Sequence, residues 1–285
     1  AAGDRRPLTT DPNPTPPPGI EDPRDTGLVA LDLLPASAVI RRLYKAEHRI
    51  QSCLQRFQLH TPAPVALGAD HLQRLSLDPD AVVSMACALT HYRLHSLQVA
   101  DGHWACPLPT MLLDAPCKAY LNGRTEYLRP CSPTVLQFCQ AIGRQTTKFY
   151  SRWELVAILQ QYSSELQTLK EQCRIGLNGA SHLYALQCFA CQQALPEIPV
   201  LQDAATQAYL QVDLRIAHLG PPDLSTDCAS GAPFPGAVHV YYTCAPTALA
   251  LTVAARLPQV LPWLVMFAET LSDVAPLLVQ EAALA

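Results

Sequence analysis

Five side chains able to ligate a metal ion fall between Cys87 and Cys106: Cys87, His91, His95, His103 and Cys106. Thiolate sulfur and imidazole nitrogen are the donors that zinc takes. Cys87, His91 and His95 stand four residues apart, so on a helix they drift slowly along one face. A zinc site forms only if the turn at Asp101-Gly102 folds His103 or Cys106 back onto the end of that helix. The spacing departs from zinc fingers and ribbons, whose paired ligands lie two to four residues apart. Tyr92 also stands where the H-E-x-x-H motif of zinc proteases would place its glutamate. The ordinary reading is a core cysteine followed by two histidines at a helix C-terminus, where the dipole favours a protonatable ring. Zinc is therefore the alternative here, and the sequence implies no other cofactor.

Other chemical signals are weaker. Cys188-Phe189-Ala190-Cys191 is a C-x-x-C within a predicted apolar helix, away from the helix N-terminus that lowers a thiol pKa in redox motifs, and it reads as core packing. Cys228 and Cys244 flank a Pro/Gly-rich loop and could pair under oxidation. The chain has no G-x-S-x-G and no phosphate-binding glycine loop. The stretch G-L-N-G-A-S from Gly176 follows a helix and reads as its C-terminal cap. No residue set therefore qualifies as catalytic.

The elements that must position these residues are legible from periodicity. Val39, Ile40, Leu43, Ile50, Cys53, Leu54 and Phe57 predict an amphipathic helix from Ser37, with Arg41, Arg42, Lys45, Arg49 and Arg56 on its other side. A helix from Pro79 to His95 carries Cys87, His91 and His95, with Asp78 or Asp80 near its N-terminus. D-G and N-G dipeptides between short β-compatible runs predict two hairpins over Ser96 to Arg129. Further helices are expected to about Ile142, over Ser151 to about Arg174, and over Ser181 to Leu195. Alternation at Leu210, Val212, Leu214 and Ile216 predicts a half-buried strand that pairs with A-V-H-V-Y-Y-T-C. Apolar, proline-punctuated helices are expected from Pro246 to Leu284. The apolar run Leu257 to Phe267, broken by Pro258 and Pro262, is too short for a membrane span.

The expected fold class is thus α+β, helix-dominated, with one or two small antiparallel sheets or hairpins. Residues 1–27, rich in proline, read as a disordered or extended tail, or a docking strap. Residues 28–285 read as one globular domain, divisible into a helix–hairpin lobe (28–130) and a helical lobe with a two-stranded insert (131–285).

Composition points toward a covered surface. Of the 285 residues 49% are hydrophobic and 15% charged, where about a quarter charged is usual for soluble proteins. A net charge of −4 offers no footprint for a phosphate backbone, which argues against a nucleic-acid partner. Trp263, Leu264, Phe267, Leu271 and Leu277 exceed what one buried helix face needs and are the candidate partner-binding residues. Eleven cysteines, several within apolar helices, and no N-x-[ST] acceptor favour a reducing, intracellular setting, cytoplasmic or nuclear. No signal peptide is visible at the first residues. The functional expectation is a non-catalytic subunit or scaffold of a hetero- or homo-oligomeric protein assembly. A zinc-containing module or enzyme is the alternative.

Overall fold

The computed structural model describes residues 37–54, 57–98, 104–105, 108–117, 124–142, 149–194, 198–220, 236–256 and 260–284. The chain divides into two compact units, Ala1–Gln51 and Ser52–Ala285. The described part of the first is helix α1 (Ser37–Leu54), which ends three residues into the second.

The second unit is built on a six-stranded sheet rather than on small hairpins. Its strands are β1 (Phe57–His60), β4 (Met111–Cys117), β5 (Arg124–Leu128), β6 (Leu214–His218), β7 (Val238–Cys244) and β8 (Leu249–Arg256), in the order β1-β8-β7-β6-β4-β5. The two pairings that β6 makes, with β4 and with β7, are parallel, and the others are antiparallel. The N-G hairpin exists as β4–β5, but as one edge of this mixed sheet. The D-G hairpin is the separate pair β2 (Leu97–Gln98) and β3 (Trp104–Ala105). Because β4 pairs with β6, residues on either side of position 130 share one sheet.

Helix α3 (Pro79–His95) has the bounds its sequence predicts. It is buried on nearly every side from Asp80 to Thr90, as expected of a helix apolar all round. Its two mid-helix hydroxyls cause no orphan: Ser84 Oγ donates to the Asp80 carbonyl at 2.6 Å and Thr90 Oγ1 to that of Ala86 at 2.8 Å. Helix α5 (Arg152–Arg174) opens with a reciprocal cap, the Ser151 N–H donating to Glu154 Oε2 and the Glu154 N–H to Ser151 Oγ. It closes on Gly176, whose φ of +79° suits glycine. There the Leu177 N–H reaches the Gln172 carbonyl and the Gly176 N–H that of Cys173, a Schellman closure. Helix α4 (Pro133–Ile142) packs on α3 and α5, and α2 (Ala69–Arg74) leads into α3. Beyond α5 lie α6 (Ala180–Gln192), α7 (Pro199–Gln202) and α8 (Ala204–Leu210).

One face of the sheet, carrying Leu113, Leu214, Ile216, Val240, Leu251 and Val253, packs with α3, α4, α5 and α9 (Val260–Leu284) into the main core. Strand β8 corrects the expectation of helix from Pro246. Its alternation of Leu249, Leu251, Val253 and Ala255 toward the core is obscured by Ala250 and Ala254 between them. Helix α9 runs 25 residues and is long and apolar enough, by length and composition, to cross a membrane. In this fold it packs on α3, α2 and α5. Pro262 does not break it, since it sits in the first turn, where N–H groups have no intrahelical acceptor.

Candidate functional site

Strand β1 runs antiparallel to β8, with His60 opposite Val253. Past it the chain bends through Pro62 and Pro64 and returns to the sheet where Val65 and Leu249 exchange backbone hydrogen bonds, both 2.9 Å. The chain then turns into α2 at Gly68, where a Cβ would meet the Pro246 carbonyl and, at 2.5 Å, the Ala248 nitrogen. Glycine lets these backbones approach, and the first N–H groups of α2 are satisfied by the carbonyls of Ala245 and Pro246. This close seam holds the His60–Ala66 segment alongside α9.

Between that segment and α9 lies an open groove of about 700 Å³. Helix α9 is apolar on two faces. Val260, Trp263, Phe267, Val274 and Leu278 face the core, at i, i+3, i+4 and i+7 spacings. Leu261, Leu264, Val265, Ala268 and Val279 form the groove wall, with Pro62, Ala63 and Val65 opposite. Small side chains at Ala268, Ser272 and Ala275 leave the hollow between. His60, exposed at the rim, is the one titratable side chain among the lining residues. The Ser272 hydroxyl donates to the Glu269 carbonyl at 2.7 Å. The groove lining is almost wholly apolar, with a single imidazole at its edge.

Elsewhere a largely buried polar cluster ties α3, α5 and β7 together. Lys170 Nζ lies 2.5 Å from Asp78 Oδ2 and 2.5 Å from Asp80 Oδ2. The Tyr242 hydroxyl donates to Asp80 Oδ1, and burial, then the Asp80 charge, push its pKa well above the usual phenol value. The Asp78 N–H donates to Ser163 Oγ, and Ser84 Oγ, whose own proton goes to the Asp80 carbonyl, accepts from the Tyr162 hydroxyl at 2.9 Å. On the opposite sheet face Arg215 grips Asp114 with two hydrogen bonds, of 3.0 and 2.5 Å, beside the Tyr127 ring. Burial would lower the Arg215 pKa, but Asp114 outweighs it and the guanidinium is held more firmly charged.

Of the predicted metal ligands, Cys87, His91 and His95 lie among the described residues. Cys87 is fully buried in the core, where desolvation pushes its thiol far up and out of the range of a metal-binding thiolate. His91 and His95 meet ring to ring, with centroids 4.2 Å apart. Burial, then the neighbouring His95, lower the His91 pKa to about 4, against a raising effect of Asp213. His103 and Cys106 lie outside the described residues, as does Cys228. Among the described residues no three His, Cys, Asp or Glu side chains come together to hold a metal ion. The Cys188–Cys191 pair is not core: Cys188 is half-buried and Cys191 exposed. Of the five residues expected to meet a partner chain, Trp263, Phe267 and Leu271 are buried, and Leu264 and Leu277 are partly buried against the core. Leu264, Phe267 and Leu271 also line the groove. The helix's apolar excess is thus divided between the core and a cavity wall. His60 and the Pro62–Ala66 wall escape a sequence reading. The signal for them is the second apolar stripe of α9, which demands a second neighbour.

The chain is similar to known enzymes. The chain is 25% identical over 158 residues to bovine peroxisomal carnitine O-octanoyltransferase, covering 55% of this chain and 24% of that protein. It is 27% identical over 158 residues to mouse mitochondrial carnitine O-palmitoyltransferase 2, covering 55% of this chain and 22% of that protein. It therefore spans about a quarter of the length of these relatives. Among solved structures, a chloramphenicol acetyltransferase aligns at a TM-score of 0.37 and 11% identity, over 77% of this chain and 88% of that one, too distant to carry any residue role across. The family model for choline/carnitine O-acyltransferases matches residues 13–271, and so, in place of the non-catalytic assembly subunit that composition suggested, this chain belongs to the choline/carnitine O-acyltransferase family.

Proposed function

We propose that the groove between His60–Ala66 and α9 holds the aliphatic tail of an acyl group, and that the chain serves O-acyl transfer involving carnitine or a like small alcohol. The observation that carries this reading is the lining itself, in which Leu261, Leu264, Val265, Phe267, Leu271 and Val279 face a hollow of about 700 Å³. That volume lies within the usual range of about 300 to 1,000 Å³ for small-molecule pockets. The relatives are named for octanoyl and palmitoyl transfer, so the tail is medium to long. Burial of each methylene contributes about 0.8 kcal/mol, so an octanoyl tail supplies about 5 kcal/mol before the costs of association. His60 stands where the polar end of such a ligand would leave the groove. The relatives are peroxisomal and mitochondrial, in keeping with an intracellular protein, and an organelle of that kind is the proposed location in preference to cytoplasm or nucleus.

Calorimetric titration of the chain with carnitine, octanoylcarnitine and palmitoylcarnitine tests this. Carnitine alone is expected to give no measurable heat. Affinity should then rise with tail length, by up to about fourfold per methylene until the groove is filled. Long-chain esters that bind no better than carnitine would remove the groove as an acyl site.

A further inference from the structure

Helix α1 plays no part in the acyl-chain reading, yet its surface is sharply divided between apolar and basic side chains. At about 100° per residue, Val39, Leu43 and Ile50 fall within an arc of about 40°, and Ile40 and Tyr44 widen that arc on one side. Arg41, Arg42, Lys45 and Arg49 fill the opposite side within an arc of about 100°. Exposure is high along the whole apolar stripe: Leu43 is 57%, Tyr44 68% and Ile50 58% accessible. A stripe of that kind is unusual on a soluble surface. The charge is unusual as well. The chain as a whole carries −4, whereas this helix has four basic side chains against one acidic, Glu47.

Two partners could answer a basic amphipathic helix: an acidic protein groove or an anionic lipid surface. The arrangement of the two faces decides between them. Apolar and basic side chains point in opposite directions, so a protein groove that covers the stripe leaves the arginines in water. A headgroup layer engages both at once. The stripe sinks to the acyl boundary, while the long Arg and Lys stems reach back to the phosphates. Tyr44, at the edge of the stripe, has the amphipathic ring favoured at that depth.

We infer that α1 is a peripheral membrane element that lies in the plane of an anionic phospholipid surface. Val39, Leu43 and Ile50 enter the lipid and Arg41, Arg42, Lys45 and Arg49 contact headgroups. Glu47 opposes this from within the apolar arc, where it accepts a hydrogen bond from Gln51 Nε2 at 3.2 Å.

Flotation of the full chain with vesicles tests the inference. Vesicles of phosphatidylcholine containing about one-third phosphatidylserine are expected to carry the chain up, and pure phosphatidylcholine vesicles at least tenfold less. Each arginine neutralised, as in Arg42→Gln and Arg49→Gln, should cost about fivefold in partitioning, and Glu47→Gln should improve it by a similar factor. Leu43→Gln with Ile50→Gln should abolish binding. All these positions are exposed, and far-UV circular dichroism of each variant checks that the helix content is kept. Equal partitioning into both vesicle types would overturn the inference. So would binding that survives the Leu43/Ile50 change, or capture of α1 by soluble poly-glutamate with no vesicle binding.

Discussion

Replacing Lys170 by methionine removes the cation that Asp78 and Asp80 share. The side chains concerned are 28%, 9% and 12% exposed, and both N–O distances are 2.5 Å. Burial of that degree takes the cluster out of the class of surface ion pairs, which contribute about 0 to 1 kcal/mol. Loss of one partner from a buried pair costs about 3 to 5 kcal/mol, because the other charge is left uncompensated. Some compensation survives here. Asp78 keeps the Asp80 N–H at 2.9 Å and Gln167 Nε2 at 3.1 Å, and Asp80 keeps the Tyr242 hydroxyl. The expected loss is therefore at the low end, about 3 kcal/mol. Tyr242→Phe removes one donor to a carboxylate and should cost about 2 kcal/mol. Because both changes act on Asp80, the double variant should lose more than the two single losses together. Urea unfolding reads each loss as a shift of midpoint at unchanged slope. Alkaline pH supplies an independent check. Burial alone would lower the Lys170 pKa, but Asp80 and Asp78 outweigh it and raise the group above its ordinary 10.5. In the unfolded chain the amine loses its proton first, so its contribution is complete below 10.5 and fades as pH rises through the higher folded value. The gap between wild type and Lys170→Met should accordingly be flat near neutrality and narrow in strong alkali. A loss under about 1 kcal/mol, or a gap that widens with pH, would refute the reasoning.

Two further outcomes are expected. His91, whose pKa is lowered to about 4, stays neutral in the fold at pH values where the unfolded chain already binds a proton, so stability falls as pH drops from about 6.5 toward 4. The loss is on the order of 2 kcal/mol once partial exposure is discounted, and His91→Gln should flatten that part of the pH–stability curve. An unchanged slope in the variant would place the acid sensitivity elsewhere. In the groove, Ala268→Phe adds a ring from an exposed position of α9, so urea stability should move by no more than about 0.5 kcal/mol. Palmitoylcarnitine affinity should fall at least tenfold and octanoylcarnitine less. Equal retention of both would mean that the tail does not pass Ala268.

Elements settled by their own few residues are legible in the sequence. Asp78 and Pro79 mark the start of α3, and its Asp78 side chain does accept from the Asp80 N–H. Ser151 and Glu154 start α5, and Gly176 stops it, with nothing remote required. Strands settled by distant partners are obscure. The four residues of β1 form a strand only because β8, near the other end of the chain, offers its edge. Strand β8 in turn reads as helix, since alanine at 250, 254 and 255 carries a helical propensity that pairing with β7 overrides. The parallel pairing of β4 with β6 joins segments separated by all of α4 to α8, so the small hairpins visible locally merge into one sheet.

The candidate site fails to show for a related reason. A sequence reveals that α9 has more apolar residues than one face can bury, and an uncovered stripe does demand a neighbour. It does not reveal which neighbour. Covering by a partner chain and covering by the chain's own His60–Ala66 segment leave the same pattern in α9. They differ only in where Gly68 lets α2 begin against Pro246. Had that seam been wider, residues 60–66 would not be held beside α9, and its second stripe would face solvent. The close approach at Gly68 thus sets a second wall beside α9, and a two-walled apolar hollow suits a flexible tail better than a flat protein surface.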